Sequence, residues 1–185
     1  MLRLGYGNIG ITYGLIGGLV GSIILGALAY LMPVPVSGSN TSLVPFFASV
    51  AVSLHVPLSI SVPVGWVMNL VAGLLMGGIF GAATSFVPGL KLESIPKGIG
   101  LGIIAGVAAY ALFFFPIFSL IVPQLYDSIN SQITETLGAH IVFGIVMGGI
   151  AAAGMTTNHK ARELARRIRE DDRVVATPLA AAPRQ

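Results

Sequence analysis

Four long apolar runs, each bounded by charged or turn-forming positions, dominate the chain. About 20 apolar residues cross a hydrocarbon core of about 30 Å. The runs at roughly Ile9 to Met32, Val64 to Pro88, Lys97 to Val122 and Leu137 to Thr156 meet that length, and each predicts a membrane-spanning helix. The connection Pro33 to Pro63 carries no charge either, and Leu43 to Val62 within it is apolar enough for a fifth span. Pro45, Pro57 and Pro63 interrupt it, and an odd number of spans would put Lys91 and Lys97, or the arginine-rich end, on the outer face. It therefore reads as an interfacial or re-entrant outer segment. Its loosely alternating stretch VSLHVPLSISV suggests a short extended piece buried by protein.

The polar positions give direction. Arg3 precedes the first span, Lys91 and Lys97 lie between the second and third, and Lys160, Arg162, Arg166, Arg167 and Arg169 follow the fourth. The other two connections hold only Asp127 and Glu135. Positive residues favour the cytoplasmic side, so both termini are expected inside, in a cell (plasma or inner) membrane. Arg3, the apolar run and Ala27-Leu28-Ala29 mimic a secretory signal, but the run exceeds a usual signal core, so its retention as a span is expected.

After the fourth span, Ala161, Leu164, Ala165 and Ile168 recur at helical spacing. Residues 157–173 therefore predict a cytoplasmic amphipathic helix, supported by Glu163 four before Arg167. Four acids dilute its basic charge, so it is expected to be solvated, with some lipid contact. Residues 174–185 read as a flexible tail. The sequon Asn40-Thr41-Ser42 stands in the outer segment.

Composition reinforces the membrane reading. Charged residues are 9% of the chain, against roughly 25% in soluble domains, too few to cover a water-facing surface. The net charge of +3 comes from scattered residues without interleaved aromatics, so nucleic acid is not an expected partner. With no cysteine, thiolate metal sites and disulfides are excluded. His55 and His140 make too small a set for a metal centre, and no cofactor is expected.

Glycines supply the most specific pattern. NLVAGLLMGGIFGA from Asn69 returns seventy-one residues later as HIVFGIVMGGIAAA from His140, and Gly10, Gly14 and Gly18 return at a spacing of 88 as Gly98, Gly102 and Gly106. The repeating unit is a helical hairpin, written twice. Two in-out-in copies share one orientation and should be related by a pseudo-two-fold axis along the membrane normal. Gly10, Gly14 and Gly18, then Gly73, Gly77 and Gly81, then Gly98, Gly102 and Gly106, and finally Gly144 and Gly148 each line one helix face. Such ladders let backbones approach where lipid offers no hydrophobic drive to associate. The expected fold is all-α, an integral membrane four-helix bundle of two tandem hairpins.

These hairpins, with a final span opening in His140 before GIVMGG, resemble poorly characterised prokaryotic inner-membrane proteins of the YagU kind. The resemblance covers the four spans and implies their fold and membrane location, with no catalytic residues. The proline-rich first outer connection departs from it.

Ionisable groups inside spans mark most proton-coupled transport routes, and here the middle of every span lacks them. No phosphate loop, nucleophile elbow or zinc-protease motif occurs in the spans. The expectation is a protein that is not an enzyme, a structural or accessory component that self-associates or joins a larger membrane complex. The alternative is a passive pore or facilitator for a small uncharged solute. Asn69 and His140, equivalent in the repeat, are the candidate polar pair, bonded across the axis, lining an outer vestibule, or simply satisfying the polarity of the interface. Ser22, Thr84, Tyr13 and Tyr110 are expected to serve packing, each hydroxyl satisfied locally. Trp66 and Tyr30 should anchor at the outer boundary and Tyr6 at the inner. Phe113-Phe114-Phe115 lies in the outer half of span three, where Pro116 should kink the helix.

Overall fold

The computed structural model describes residues 6–36, 39–121, 123 and 133–175. Arg3, Val122, Asp127 and tail residues 176–185 lie outside the described residues, as do the side chains of Tyr6, Phe114, Arg162, Asn40, Thr41 and Ser42. The elements run α1 (Tyr6–Ala29), β1 (Pro33–Val36), β2 (Ser39–Pro45), α2 (Phe46–Ser53), α3 (Leu58–Phe86), α4 (Ile95–Leu112) and α5 (Ile133–Val175). Among the described residues, four helices are long and apolar enough to cross a membrane, over Asn8–Ala29, Leu58–Phe86, Ile95–Leu112 and Thr134–Glu170. The chain has the helices of a multi-pass membrane protein.

Helix ends follow local chemistry. The amides of Tyr30, Leu31 and Met32 turn back to the carbonyls of Ala27, Leu28 and Ala29, a tightened last turn that stops at Pro33, which has no amide hydrogen to continue it. Val87 is extended ahead of Pro88, as the residue before proline tends to be. Ser94 caps α4 by accepting from the Lys97 amide at 3.4 Å. Beyond Leu112 the chain widens into a π turn, Phe113–Phe118, around Pro116, then a helical turn, Ser119–Ile121. The missing proline donor is thus absorbed by a wider turn, with the Ser119 hydroxyl bonded to the Phe115 carbonyl.

The first connection departs from expectation. Extended structure lies at Pro33–Val36 and Ser39–Pro45, an antiparallel pair with Val34 opposite Val44, and not in VSLHVPLSISV. That stretch is the end of α2, a turn, and the start of α3, which begins at Leu58, six residues before the expected Val64. Pro63 falls in the second turn of α3, where its missing donor costs one backbone bond near a terminus. The turn is a Schellman closure. The Val56 amide reaches Ala51 O at 3.1 Å, and the His55 amide reaches Val52 O at 2.9 Å. His55 holds the left-handed position, φ 67°, usually taken by glycine. It is exposed.

Span four and the amphipathic segment, expected as separate units, form one helix of 43 residues. No proline follows Ile133 within it and Gly154 is its last glycine, so nothing breaks the hydrogen-bond ladder. Leu164 and Ile168 on the extension are exposed.

Packing is antiparallel between neighbours. α1 lies along both α3 and α5, and α4 lies along α5, while α3 and α4 approach each other at only a few residues. The start of α1, the end of α3, the start of α4 and the Thr156 region of α5 therefore share one end. The β pair and α2 occupy the other. A two-fold exchange of hairpins would make the α3–α4 contact match α1–α5, and the structure does not have that likeness. The core joins Phe80 and Met76 of α3, Leu101 and Ala105 of α4, and Phe143, Met147 and Met155 of α5, closed by Leu92.

Candidate functional site

The seams are made of backbone. A side chain started at Gly14 would place its Cβ 2.7 Å from the Gly81 Cα, and one at Gly18 or Gly77 would sit 2.8 Å from the other's Cα. Gly10 and Gly73 are equally closed, against Ser85 and Ser22. In the second hairpin Gly102 and Gly148 abut at 3.0 and 2.9 Å, Gly98 meets Gly148 and Ala152, and Gly106 meets the His140 carbonyl and Gly144. Carbon pairs rest at about 3.5–4.0 Å, so only hydrogen fits these positions.

A second face of α1, absent from the expected ladders, seats Gly17 on the Met147 backbone, where an added Cβ would lie 2.6 Å from the Met147 carbonyl oxygen, and Gly21 on Phe143. Below them Tyr13 lies over Gly154 and its hydroxyl accepts from Asn158 Nδ2 at 3.3 Å. The signal for this face was readable: glycines three and four apart on one helix line two adjacent stripes.

The registers of the two hairpin seams do not follow the sequence spacings together. Gly10 contacts Gly81 and Ser85, and Gly98 contacts Gly148 and Ala152; Gly18 contacts Gly73 and Gly77, and Gly106 contacts His140 and Gly144. With 88 between first helices, the second helices correspond at 67 (81 to 148, 73 to 140), not 71. A ladder with glycine every fourth residue is unchanged by a slip of one turn, which is the four-residue difference. In packing, the counterpart of His140 is Gly73, and that of Asn69 is Thr136. Where Gly73 faces Ser22 in the first seam, His140 faces Tyr110 in the second, ring edge to face at 5.5 Å. Two rings at this level replace two of the smallest side chains.

Above this level lies a cavity of about 310 Å³, next to the gap between α3 and α4. Its wall includes Phe47, Met68, Met76, Phe113 and Phe143, with Ala72 and Ala109, and both Asn69 and His140 line it. Their hydrogen bonds run to separate partners. Asn69 Nδ2 donates across to the Ser22 carbonyl of α1 at 2.7 Å, and His140 Nδ1 stands 2.8 Å from the Thr136 carbonyl on its own helix. A carbonyl can only accept, so Nδ1 carries the proton and Nε2 is left as acceptor. The Ser22 and Thr84 hydroxyls bond to Leu19 O and Phe80 O, at 2.8 and 2.9 Å, the local satisfaction expected of them.

Trp66 and Tyr30 meet beside the cavity. Trp66 Nε1 donates to the Tyr30 hydroxyl at 3.1 Å, and the Phe47 ring lies 5.1 Å from Trp66 and 5.8 Å from Tyr30. Phe47, on the segment expected to lie at the interface, ties α2 to this pair and was not anticipated as a site residue. At the opposite end Lys97 pairs with Glu93 at 3.4 Å.

No family model, curated protein or solved structure matches this chain.

Proposed function

We propose that the chain is a four-span membrane protein with both ends cytoplasmic, acting as a structural or accessory component of a membrane assembly and carrying out no reaction of its own. The closed seams carry this reading: α1 meets α3 and α5, and α4 meets α5, with backbone against backbone, which suits a rigid scaffold and leaves no channel through those contacts. The basic residues at Lys91, Lys97 and beyond His159 support the sidedness. The matching ladder contacts support two tandem hairpins, at the slipped register. Those hairpins are also what the likeness to proteins of the YagU kind rests on. Purification from native membranes in mild detergent tests the role. A constant assembly, of copies or with a fixed partner, is expected; a lone chain at every detergent-to-protein ratio would refute it.

The second reading, a facilitator for a small uncharged solute, is favoured by the space beside α3 and α4. Its test is flux into liposomes. Solute entry above empty vesicles, abolished by Ala109→Leu, would select it over the first.

A further inference from the structure

We infer that the cavity beside the α3–α4 gap is a binding site for a neutral amphiphile, a single apolar chain ending in a hydroxyl. The inference holds for either role above. At about 310 Å³ the cavity falls at the small end of ligand pockets, roughly 300–1,000 Å³. Its wall is almost wholly apolar, and an apolar cavity in a protein stays dry and takes up apolar molecules. In a bilayer the available filler is a hydrocarbon chain. The Met68 and Met76 side chains can adjust to such a chain, being unbranched and polarizable.

The polar groups define the head. With Asn69 Nδ2 donating to Ser22 and His140 Nδ1 to Thr136, the remaining Asn69 Oδ1 and His140 Nε2 are acceptors. The Ser22 hydroxyl is engaged with Leu19. Among the described residues, no Lys, Arg, Asp or Glu lines the cavity. Two acceptors without a cation disfavour a carboxylate or phosphate, and an ammonium would be desolvated without a counter-charge. A hydroxyl satisfies an acceptor at no charge cost. The depth also fits: Phe47 belongs both to the wall and to the Trp66–Tyr30 cluster, and such amphipathic rings settle at the headgroup boundary. A chain entering beside that cluster keeps its head near the interface.

Trp66 is the sole tryptophan, and it touches Phe47 of the wall, so its emission reports occupancy. The probe is a terminally brominated undecanol added to the full chain in lipid nanodiscs, compared with the brominated undecane and undecanoate. Expected is saturable quenching by the alcohol, relieved by unbrominated decanol, with only linear quenching by the other two. Ala109→Leu and Ala72→Leu, which fill the cavity, should weaken binding about tenfold or more by taking the chain's volume. Ala108→Leu, on the exposed side of α4, should leave it unchanged. Helical content by circular dichroism identifies any variant that fails to fold, and either filling variant then suffices. Linear quenching by all three probes, or undiminished saturation in a folded filling variant, overturns the site. Equal saturation by alkane and alcohol overturns the hydroxyl recognition.

Discussion

Replacing Gly77 by alanine is the sharpest perturbation of the α1–α3 seam. The new Cβ would lie 2.8 Å from the Gly18 Cα, where carbon pairs rest at about 3.5–4.0 Å, so the helices must part by roughly 1 Å. A gap of that size forfeits about a quarter to a half of each dispersion well along the seam. Neither side can yield by rotating a side chain, because both are backbone. Overpacking a well-packed core costs about 1–3 kcal/mol, and alanine regains up to about 1 kcal/mol of helix propensity. The net expectation is destabilisation by about 1–2 kcal/mol, larger for Gly77→Leu. Gly100 supplies the control, since a Cβ there meets nothing within 4 Å; Gly100→Ala should be neutral or stabilising by up to about 1 kcal/mol. Reversible unfolding in mixed micelles, followed by circular dichroism, measures both. Equal stabilities for Gly77→Ala and Gly100→Ala would refute backbone contact at the seam.

Other outcomes follow from single contacts. Asn69→Leu removes the bond to the Ser22 carbonyl and should lower stability by about 0.6 kcal/mol, the average for interhelical bonds in membranes, and by no more than about 1.7 kcal/mol, in the same unfolding assay. His55→Gly should be neutral or stabilising by up to about 1–2 kcal/mol, because a left-handed backbone burdens any residue with a Cβ; a loss of stability would show that the imidazole does more than occupy the turn. Tyr30→Phe deletes the acceptor of the Trp66 indole and should shift Trp66 emission while changing stability by less than about 1 kcal/mol. Single cysteines placed at Lys91 and His159, in a chain without native cysteine, should react with impermeant maleimide only from the cytoplasmic face, and one at Leu54 only from the other. Labelling of all three from one side would contradict the proposed topology.

What the sequence disclosed and what it concealed divide along physical lines. Length and hydropathy report lipid contact, so all four long apolar helices were readable. A four-residue glycine stripe reports a face that must come close to something, and Gly14, Gly77, Gly102 and Gly148 do so. The same regularity hid the register, since sliding one turn restores the pattern; Asn69 and His140 were matched by spelling while packing matches His140 to Gly73. The Gly17 and Gly21 stripe was equally legible, but a stripe names no partner, so the central place of α1 was not. Prolines at 57 and 63 suggested an interrupted segment, yet one immediately precedes α3 and the other, in its second turn, removes a single backbone bond. The strands at Pro33–Val36 and Ser39–Pro45 lack a clean alternation. The cavity was out of reach, because it depends on the separation of α3 from α4, a distance that no local pattern encodes.

Disulfide trapping in native membranes is the most direct test of helices held backbone to backbone. A Cβ built on Gly10 lies 3.2 Å from Ser85 Cβ, close to the roughly 3.5–4.5 Å between Cβ atoms that a disulfide requires. One built on Gly98 would fall closer still to Ala152 Cβ, so that pair links once the α4–α5 seam gives by about 1 Å. Gly10→Cys with Ser85→Cys, and Gly98→Cys with Ala152→Cys, should each link within one chain on mild oxidation, whereas Gly10→Cys with the outward-facing Ile79→Cys should not. Failure of both seam pairs to link, or equal linkage by the outward pair, would contradict the closed glycine seams.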